Sequence, residues 1–132
     1  MNYRKSIVIW MSALLIMLTG CTSQWKKDQA TIHSDLGIAY LNQGQYNDAL
    51  KELLQANDLY DGDAKSHYFL GVAYIGKDLR DKAVAEFKRA IDLQPDFSQA
   101  HTYLGSVYNQ MGLYDKAIEH FNRALANVLY DA

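Results

Sequence analysis

The sequence has little cysteine, little proline and no excess of basic residues. One cysteine and one proline occur among its 132 residues. A single cysteine forms no disulfide within the chain and no Cys-x-x-Cys zinc or redox motif. Thirteen basic and fifteen acidic residues give a net charge of −2, so the basic footprint of nucleic-acid-binding proteins is missing. With 49% hydrophobic residues, the composition is typical of a packed, helix-rich chain and not of a disordered one.

The sequence also lacks the short motifs that carry catalysis. No GxSxG, HExxH or Walker phosphate-binding loop occurs, so we expect neither enzymatic activity nor a cofactor. His33, His67 and His101 recur at a spacing of 34 residues. Stacked helices would hold these rings about 10 Å apart, whereas a zinc ion needs ligands within about 2.1 Å. We therefore interpret the three histidines as packing residues and expect no metal site.

The first twenty-one residues have the pattern of a bacterial export signal. Arg4 and Lys5 precede a twelve-residue run, residues 7–18, that is apolar except for Ser12. A membrane-spanning helix needs about 20 residues, so this shorter run is typical of the core of a signal peptide.

The stretch Leu18-Thr19-Gly20-Cys21 resembles the lipobox of bacterial lipoproteins. The resemblance implies a signal peptide at residues 1–20, acylation of Cys21 and a short lipidated linker at residues 21–29. One acyl chain binds membranes only marginally, and stable anchoring takes two or more. Thr22 after the cysteine resembles the outer-membrane sorting signal, which implies an anchor facing the periplasm if the host has two membranes. An ordinary thiol beyond a secretory signal is the alternative.

A period of 34 residues runs through the rest of the chain. Leu-Gly pairs begin at positions 36, 70 and 104, and a tyrosine follows each glycine three residues later. Three further columns of small or apolar residues recur at the same spacing. They are Ala49, Ala83 and Ala117; Leu53, Phe87 and Phe121; and Ala56, Ala90 and Ala124. Three units, at residues 30–63, 64–97 and 98–131, therefore fill the chain after the linker.

Each unit predicts a pair of helices. The first helices are expected at residues 31–42, 64–75 and 98–110, and the second at 48–59, 82–93 and 116–127. Glycine in mid-helix costs about 1 kcal/mol relative to alanine, so Gly37 and its equivalents indicate close contact with Ala49 and its equivalents. Leu36, Tyr40 and Leu53 are expected to pack around this contact. The residues placed to cap the second helices are Asn47, Asp81 and Asp115.

This pattern resembles the tetratricopeptide repeat. The matching residues of the third unit are Leu104, Gly105, Tyr108, Gly112, Tyr114, Ala117, Phe121 and Ala124. The second unit departs from the signature at Asp78 and Arg80, where glycine and tyrosine are usual. The resemblance implies an all-α fold, an α-solenoid of three helix–turn–helix pairs. Since a solenoid needs a polar cap at each end, the apolar last helix predicts a C-terminal truncation; a partner or a second copy over this face is the alternative.

In the tetratricopeptide repeat family the first helices line a concave groove that binds other polypeptides. The corresponding residues here are Ile38, Leu41, Tyr68, Phe69, Val72, Ile75, Tyr103, Ser106 and Asn109. This apolar and neutral set suits an extended or helical segment with apolar anchors, unless neighbouring helices cover most of it. Members that clamp acidic chaperone tails use lysine, asparagine and arginine at positions that here are Ser34, Ile38, Phe69, Gln99 and Tyr103. An acidic tail is therefore not expected as the ligand.

The order of lipobox, short lysine-containing linker and repeats resembles the type IV pilus biogenesis lipoproteins, the pilotin group. Residues 123–130 resemble the end of their third repeat. The resemblance implies a membrane-anchored scaffold that binds the outer-membrane secretin and supports its localisation and assembly. A general envelope adaptor for peptidoglycan hydrolases or for outer-membrane protein assembly is the alternative, because a fold does not determine a partner.

Overall fold

The computed structural model describes the backbone of residues 3–130 and the side chains of residues 22–126. This part of the chain is helical throughout, with short turns between the helices. The helices are α1 (Tyr3–Asn42), α2 (Tyr46–Leu59), α3 (Ala64–Gly76), α4 (Arg80–Leu93), α5 (Ser98–Gln110) and α6 (Tyr114–Tyr130). The predicted all-α architecture of three helix–turn–helix pairs is confirmed.

Each helix packs mainly against its neighbours in the sequence. Helices α1 and α2, α3 and α4, and α5 and α6 form hairpins, while α2 packs on α3 and α4 packs on α5 to stack one repeat on the next. Contacts of this nearest-neighbour kind are the mark of a solenoid. The largest side chains that are completely buried between the layers are Leu53, Leu70, Phe87, Leu104 and Val107.

The first helix of every repeat ends in the same turn. In the first repeat, the N–H of Gln45 donates to the carbonyl of Tyr40 and the N–H of Gly44 donates to that of Leu41, both at 2.9 Å. These two bonds are the Schellman motif, and both recur at the same positions of the second and third repeats. The left-handed residues of the three turns are Gly44, Asp78 and Gly112, with φ of 70°, 57° and 76°.

The predicted caps of the second helices are wrong. Helices α2, α4 and α6 begin at Tyr46, Arg80 and Tyr114, two residues before the predicted starts, so that the supposed caps fall inside the first turn. They are Asn47, Asp81 and Asp115. The N-cap positions of α2 and α4 are Gln45 and Leu79, and neither side chain makes a capping hydrogen bond. The physical reason is that the last residue of each Schellman turn is also the residue from which the next helix starts.

One side-chain cap occurs where none was predicted, at the start of α3. The carboxylate of Asp63 accepts hydrogen bonds from the backbone N–H of Lys65 at 3.1 Å and of Ser66 at 3.2 Å. One repeat later, Phe97 holds the N-cap position of α5 and makes no such bond. The two inter-repeat turns therefore differ in chemistry although they occupy the same place in the period.

The first helix is longer than the predicted 31–42, because α1 begins at Tyr3. Residues 22–29, assigned to the linker, are thus part of the same helix as the first repeat. The signal peptide at residues 1–20 and the acylated Cys21 fall on side chains outside the described residues, and both assignments stay predictions. Among the residues whose side chains are described, no helix is both long enough and apolar enough to cross a bilayer.

The close approach predicted at the mid-helix glycines is confirmed. A Cβ added to Gly37 would lie 2.6 Å from Cγ of Leu53 and 3.2 Å from the carbonyl oxygen of Ala49. One added to Gly71 would lie 2.6 Å from the ring of Phe87. Gly105 is in the same situation with Phe121 and Ala117. In each repeat glycine is therefore the residue that lets the second helix reach the first.

Leu36 departs from the predicted core. Its equivalents Leu70 and Leu104 are completely buried, whereas Leu36 is 41% exposed. Helices α2 and α4 pack against the helices that carry the two buried leucines. Within the described residues, no helix takes the corresponding place beside α1.

Candidate functional site

The predicted groove residues lie on the first helix of each repeat. We call the nine of them the groove surface: Ile38 and Leu41 on α1, Tyr68, Phe69, Val72 and Ile75 on α3, and Tyr103, Ser106 and Asn109 on α5. The 34-residue period arranges most of them in rows across the three helices. One row is Ile38, Val72 and Ser106; a second is Leu41, Ile75 and Asn109.

The groove surface changes from apolar to polar along the array. In the first two repeats, Leu41, Val72 and Ile75 pack against the core with one side and remain partly exposed on the other. In the third repeat, the same rows end in Ser106, which is half-buried, and Asn109, which is exposed. Neighbouring helices therefore cover the apolar residues only in part. A bound segment would meet aliphatic carbon at one end and hydrogen-bonding groups at the other.

Tyr68 is the centre of an aromatic cluster that joins the second and third repeats. Its ring centroid lies 4.9 Å from that of Phe69, 5.2 Å from Phe97, 5.4 Å from Tyr103 and 6.0 Å from Phe87. The contacts with Phe69 and Tyr103 are edge-to-face, with interplanar angles of 66° and 86°. Aromatic pairs of this geometry are worth about 0.5–1.5 kcal/mol beyond the area they bury, so the cluster fixes the spacing of α3 and α5.

The phenol of Tyr68 stays neutral at physiological pH. Burial raises the pKa of Tyr68 to about 12. The electrostatic interaction with Tyr103 and the hydrogen bond to Tyr103 act in the same direction. Tyr103 is 38% exposed. The cluster therefore presents mainly an apolar ring surface.

Phe97 belongs to this cluster but was not predicted. Its equivalent in the first inter-repeat turn is Asp63, so the 34-residue period contains no aromatic column at this position. The only local signal is the Pro-Asp-Phe turn that follows α4. This turn places the ring beside Tyr68.

The positions at which some tetratricopeptide repeat proteins clamp acidic tails hold no cation here. Ser34 is buried at 5% exposure, and Phe69 and Tyr103 belong to the aromatic cluster. A described cation, Lys65, lies beside this surface, with its Nζ 6.0 Å from the ring centroid of Phe69. The nine side chains of the groove surface are thus uncharged and partly apolar, with the ammonium of Lys65 at their edge.

The histidines of the first two repeats join the two helices of their own repeat. Nδ1 of His33 lies 2.7 Å from Oε2 of Glu52, and Nδ1 of His67 lies 2.7 Å from Oε2 of Glu86. Nε2 of His67 also lies 2.8 Å from Oδ1 of Asp61. Burial favours the neutral ring of His67, but the hydrogen bonds to Glu86 and Asp61 and the charge of Glu86 outweigh it and raise the pKa of His67.

The third repeat replaces this pair by two histidines. Nδ1 of His101 lies 3.0 Å from Nδ1 of His120, which occupies the glutamate position. The carbonyl of Pro95 can only accept, so Nε2 of His101 donates to it at 3.0 Å. In the neutral ring of His101, Nδ1 then accepts a hydrogen bond from the Nδ1–H of His120. Burial and the neighbouring His101 lower the pKa of His120. In the described part of the chain, no group of three or more metal-binding side chains forms.

The part of the chain that is similar to known proteins is the repeat region. A model of the tetratricopeptide repeat family matches residues 34–79 and 76–132. A solved structure of MamA is 28% identical, with a TM-score of 0.75 over 78% of this chain and 60% of that one. This chain thus spans less than two thirds of MamA. No curated protein matches the sequence.

Two further solved structures share the fold at lower identity. The second tetratricopeptide repeat domain of Spaghetti (RPAP3), bound to the HSP90 peptide SRMEEVD, is 22% identical, with a TM-score of 0.76 over 79% of this chain and 95% of that one. The Arabidopsis OM64 tetratricopeptide repeat domain is 18% identical, with a TM-score of 0.76 over 77% of this chain and 84% of that one.

Proposed function

Since this chain belongs to the tetratricopeptide repeat family, a family of protein-interaction scaffolds, we propose that it is a lipid-anchored scaffold whose groove surface binds a segment of another polypeptide. The observation that carries this proposal is the set of aliphatic side chains on the first two repeats that the fold leaves half-exposed. They are Ile38, Leu41, Val72 and Ile75. Peptide-binding helix arrays use such surfaces to hold the apolar anchors of a partner.

The change of polarity along the groove surface defines the partner segment. Its aliphatic or aromatic residues lie over the first two repeats and over the ring of Tyr103. Its polar residues lie over Ser106 and Asn109. The segment is therefore amphipathic along its length and carries no cluster of charges at its centre, because the groove surface offers none.

An acidic tail is a poor fit for this groove. The peptide bound to the Spaghetti domain contains two glutamates and a terminal aspartate. Here Ser34 and Gln99 occupy two of the positions at which family members place cations or asparagine. Burying a carboxylate without a charged or hydrogen-bonding partner costs roughly several kcal/mol. The proposed partner therefore binds through apolar contacts.

The proposed anchor places the groove near a membrane. The lipobox resemblance supports acylation of Cys21, and Thr22 supports an outer-membrane position facing the periplasm. Residues 22–29 are helical, and eight residues of helix at 1.5 Å each span about 12 Å. The first repeat would therefore lie within about one helix diameter of the lipid headgroups.

We propose further that the partner is the outer-membrane secretin of a type IV pilus. The support is the order of lipobox, short linker and repeats, which resembles the pilus biogenesis lipoproteins. In this role the lipid determines the location and the groove surface holds a segment of the secretin, whose localisation and ring assembly the scaffold supports.

The test is secretin recovery with the full-length chain. We would purify tagged chain from detergent-solubilised envelopes and measure the secretin that it retains. Val72→Glu places a charge in the middle of the row formed by Ile38, Val72 and Ser106. It should lower recovery at least tenfold, with helicity checked by circular dichroism. Leu54→Glu is the matched control, because Leu54 lies on α2, outside the groove surface, and is 43% exposed.

Two results would contradict the proposal at different levels. Secretin recovery that Val72→Glu leaves unchanged would place the binding site outside the groove surface. Recovery of peptidoglycan hydrolases without secretin would favour the general adaptor.

For the anchor, labelled palmitate should enter the wild-type chain and not Cys21→Ala; equal incorporation would remove the lipidation proposal.

A further inference from the structure

Both ends of the described helical array expose an apolar stripe. Residues four or seven positions apart lie on one side of a helix, and each stripe has this spacing. We call the stripe on α1 the head face: Trp25, Ile32 and Leu36, exposed by 61%, 58% and 41%. We call the stripe on α6 the tail face: Tyr114, Ile118 and Leu125, exposed by 63%, 58% and 61%.

Two of the three head-face positions, those of Ile32 and Leu36, are buried in the other repeats; Trp25 precedes the first repeat and has no equivalent on α3 or α5. The equivalents of Leu36 are Leu70 and Leu104, both 0% exposed. The equivalent of Ile32 in the second repeat is Ser66, 1% exposed. These buried residues lie on α3 and α5, against which the second helix of the preceding repeat packs. The head face therefore has the surface that receives a second helix, but no second helix among the described residues covers it.

Two of the three tail-face positions, those of Ile118 and Leu125, lie on the side of the second helix that the other repeats partly bury; Tyr46 and Arg80, the equivalents of Tyr114, are exposed. Ile118 is the equivalent of Leu50 and Val84, and Leu125 is the equivalent of Ile91. These three equivalents are partly buried and pack against the core. They lie on α2 and α4, the helices on which the next repeat stacks.

We propose that the tail face of one copy packs on the head face of a second copy, so that the solenoid continues from chain to chain. The contact would repeat the packing that joins α2 to α3 and α4 to α5 within one chain. It is a heterologous contact, in which each copy uses two different surfaces, and such contacts extend into longer assemblies unless they close into a ring. A tail-to-tail dimer would instead pair two second helices, an arrangement that the described array does not contain.

The exposure of His33 agrees with the absence, among the described residues, of a second helix from a preceding repeat packed on α1. The side chain of His33 is 23% exposed, compared with 5% for His67. Asn57 of the preceding repeat lies 3.2 Å from Nδ1 of His67. Leu125 occupies the position of Asn57 in the third repeat, so a stacked second copy would bring it over His33 and cover the bond to Glu52.

The stacking also enlarges the groove surface. Joining the last repeat of one copy to the first repeat of the next makes the polar end of one groove continuous with the apolar end of another. A partner longer than three repeats would then bind to two copies, and its affinity would rise with assembly through the linked second site. This consequence rests on the proposed function, whereas the stacking itself does not.

The test uses two variants of the full chain in detergent that each remove one face. Leu36→Glu charges the head face and leaves the tail face intact; Ile118→Glu does the reverse. Sedimentation should show concentration-dependent oligomers for the wild-type chain and monomers for each variant alone. An equimolar mixture of the two variants should form dimers and nothing larger, because one intact head meets one intact tail and both outer ends are blocked. Leu54→Glu should assemble like the wild type.

Three results would overturn the proposal. The first is a monomeric wild-type chain throughout the concentration range. The second is a Leu36→Glu variant that assembles like the wild type, which would assign association to the apolar residues 7–18 or to a tail-to-tail dimer. The third is a mixture of the two variants that stays monomeric. Both substitutions lie at exposed positions; should either lower the helical signal, Leu36→Lys and Ile118→Lys replace them in the same mixing experiment.

Discussion

His101 and His120 face each other through their Nδ1 atoms at 3.0 Å, in the place where the first two repeats pair histidine with glutamate. This contact needs at least one neutral ring, because two imidazolium ions would both be donors and would repel each other. The pair of His67 and Glu86 in the second repeat has the opposite requirement, since its attraction is strongest when the histidine is charged. The same position of the repeat therefore responds to pH with opposite signs in different repeats.

We expect the third repeat to lose stability in acid. Histidine in an unfolded chain titrates near 6.5, and the pKa of His120 is lowered in the fold by burial and by His101. The contribution of His120 to folding stability is thus complete above about pH 6.5. It is lost as the pH falls through the pKa of His120 in the folded chain. His120→Glu restores the pair of the other repeats and should raise the melting temperature by a few degrees at about pH 5, with less effect at about pH 8. An equal gain at both pH values would contradict this account.

The second repeat should lose stability in the alkaline direction. His67 lies between Glu86 of α4 and Asp61 of the inter-repeat turn, with Asn57 of α2 also in contact. Because the pKa of His67 is raised in the fold, its contribution to folding stability is complete below about pH 6.5. It is lost as the pH rises through the pKa of His67 in the folded chain.

Glu86→Gln should therefore destabilise the chain more at about pH 6 than at about pH 8.5 in urea unfolding. The matched control is Glu119→Gln, because Glu119 is 61% exposed and lies 3.9 Å from Arg123. Its effect should be small at both pH values. A loss for Glu86→Gln that does not depend on pH would mean that the ring of His67 stays neutral.

Gly71→Ala should destabilise the protein by about 1–3 kcal/mol, which is the usual cost of overpacking. The new Cβ would meet the ring of Phe87 at 2.6 Å, and Phe87 is completely buried. Gly76→Ala is the control in the same helix. Its Cβ would meet the ring of Tyr46, which is 36% exposed and free to turn away, so we expect a neutral or slightly stabilising change. Equal losses in chemical denaturation would show that the contact with Phe87 is not the cause.

Asp78→Gly should stabilise the protein by about 0.5–1 kcal/mol. A non-glycine residue in the left-handed region costs about 1–2 kcal/mol, and Asp78 has φ of 57°. The change removes the 2.8 Å ion pair with Arg80, but an exposed pair is worth only about 0–1 kcal/mol. The reciprocal change, Gly44→Asp, should lower stability. If thermal unfolding showed that both Asp78→Gly and Gly44→Asp stabilise the protein, backbone strain would be ruled out as the cause.

The 34-residue period allowed most of the fold to be predicted. It determined the two-helix unit, the close contacts at Gly37, Gly71 and Gly105, and the rows of the groove surface. It did so because a solenoid repeats its packing wherever it repeats its sequence. The start of each second helix was predicted two residues late, because side-chain capping was expected where a Schellman turn leads directly into the helix.

Features that break the period were not predictable in this way. Phe97 joins the aromatic cluster from a position that holds Asp63 in the preceding turn, and no column of the alignment marks it. Leu36 matches a core column but is exposed, because burial depends on the neighbouring helix and not on the residue itself. The continuation of α1 through residues 22–29 precedes the first repeat and has no equivalent within the period.

Cross-linking at the groove surface tests the central claim most directly. A photoreactive amino acid would replace Val72 in the groove surface or, as the control, Leu54 on α2, and the full chain would be irradiated in its host. The account predicts a cross-link to a second, different polypeptide from position 72 and none from position 54. Partner cross-links from position 54 alone, or from neither position, would contradict it.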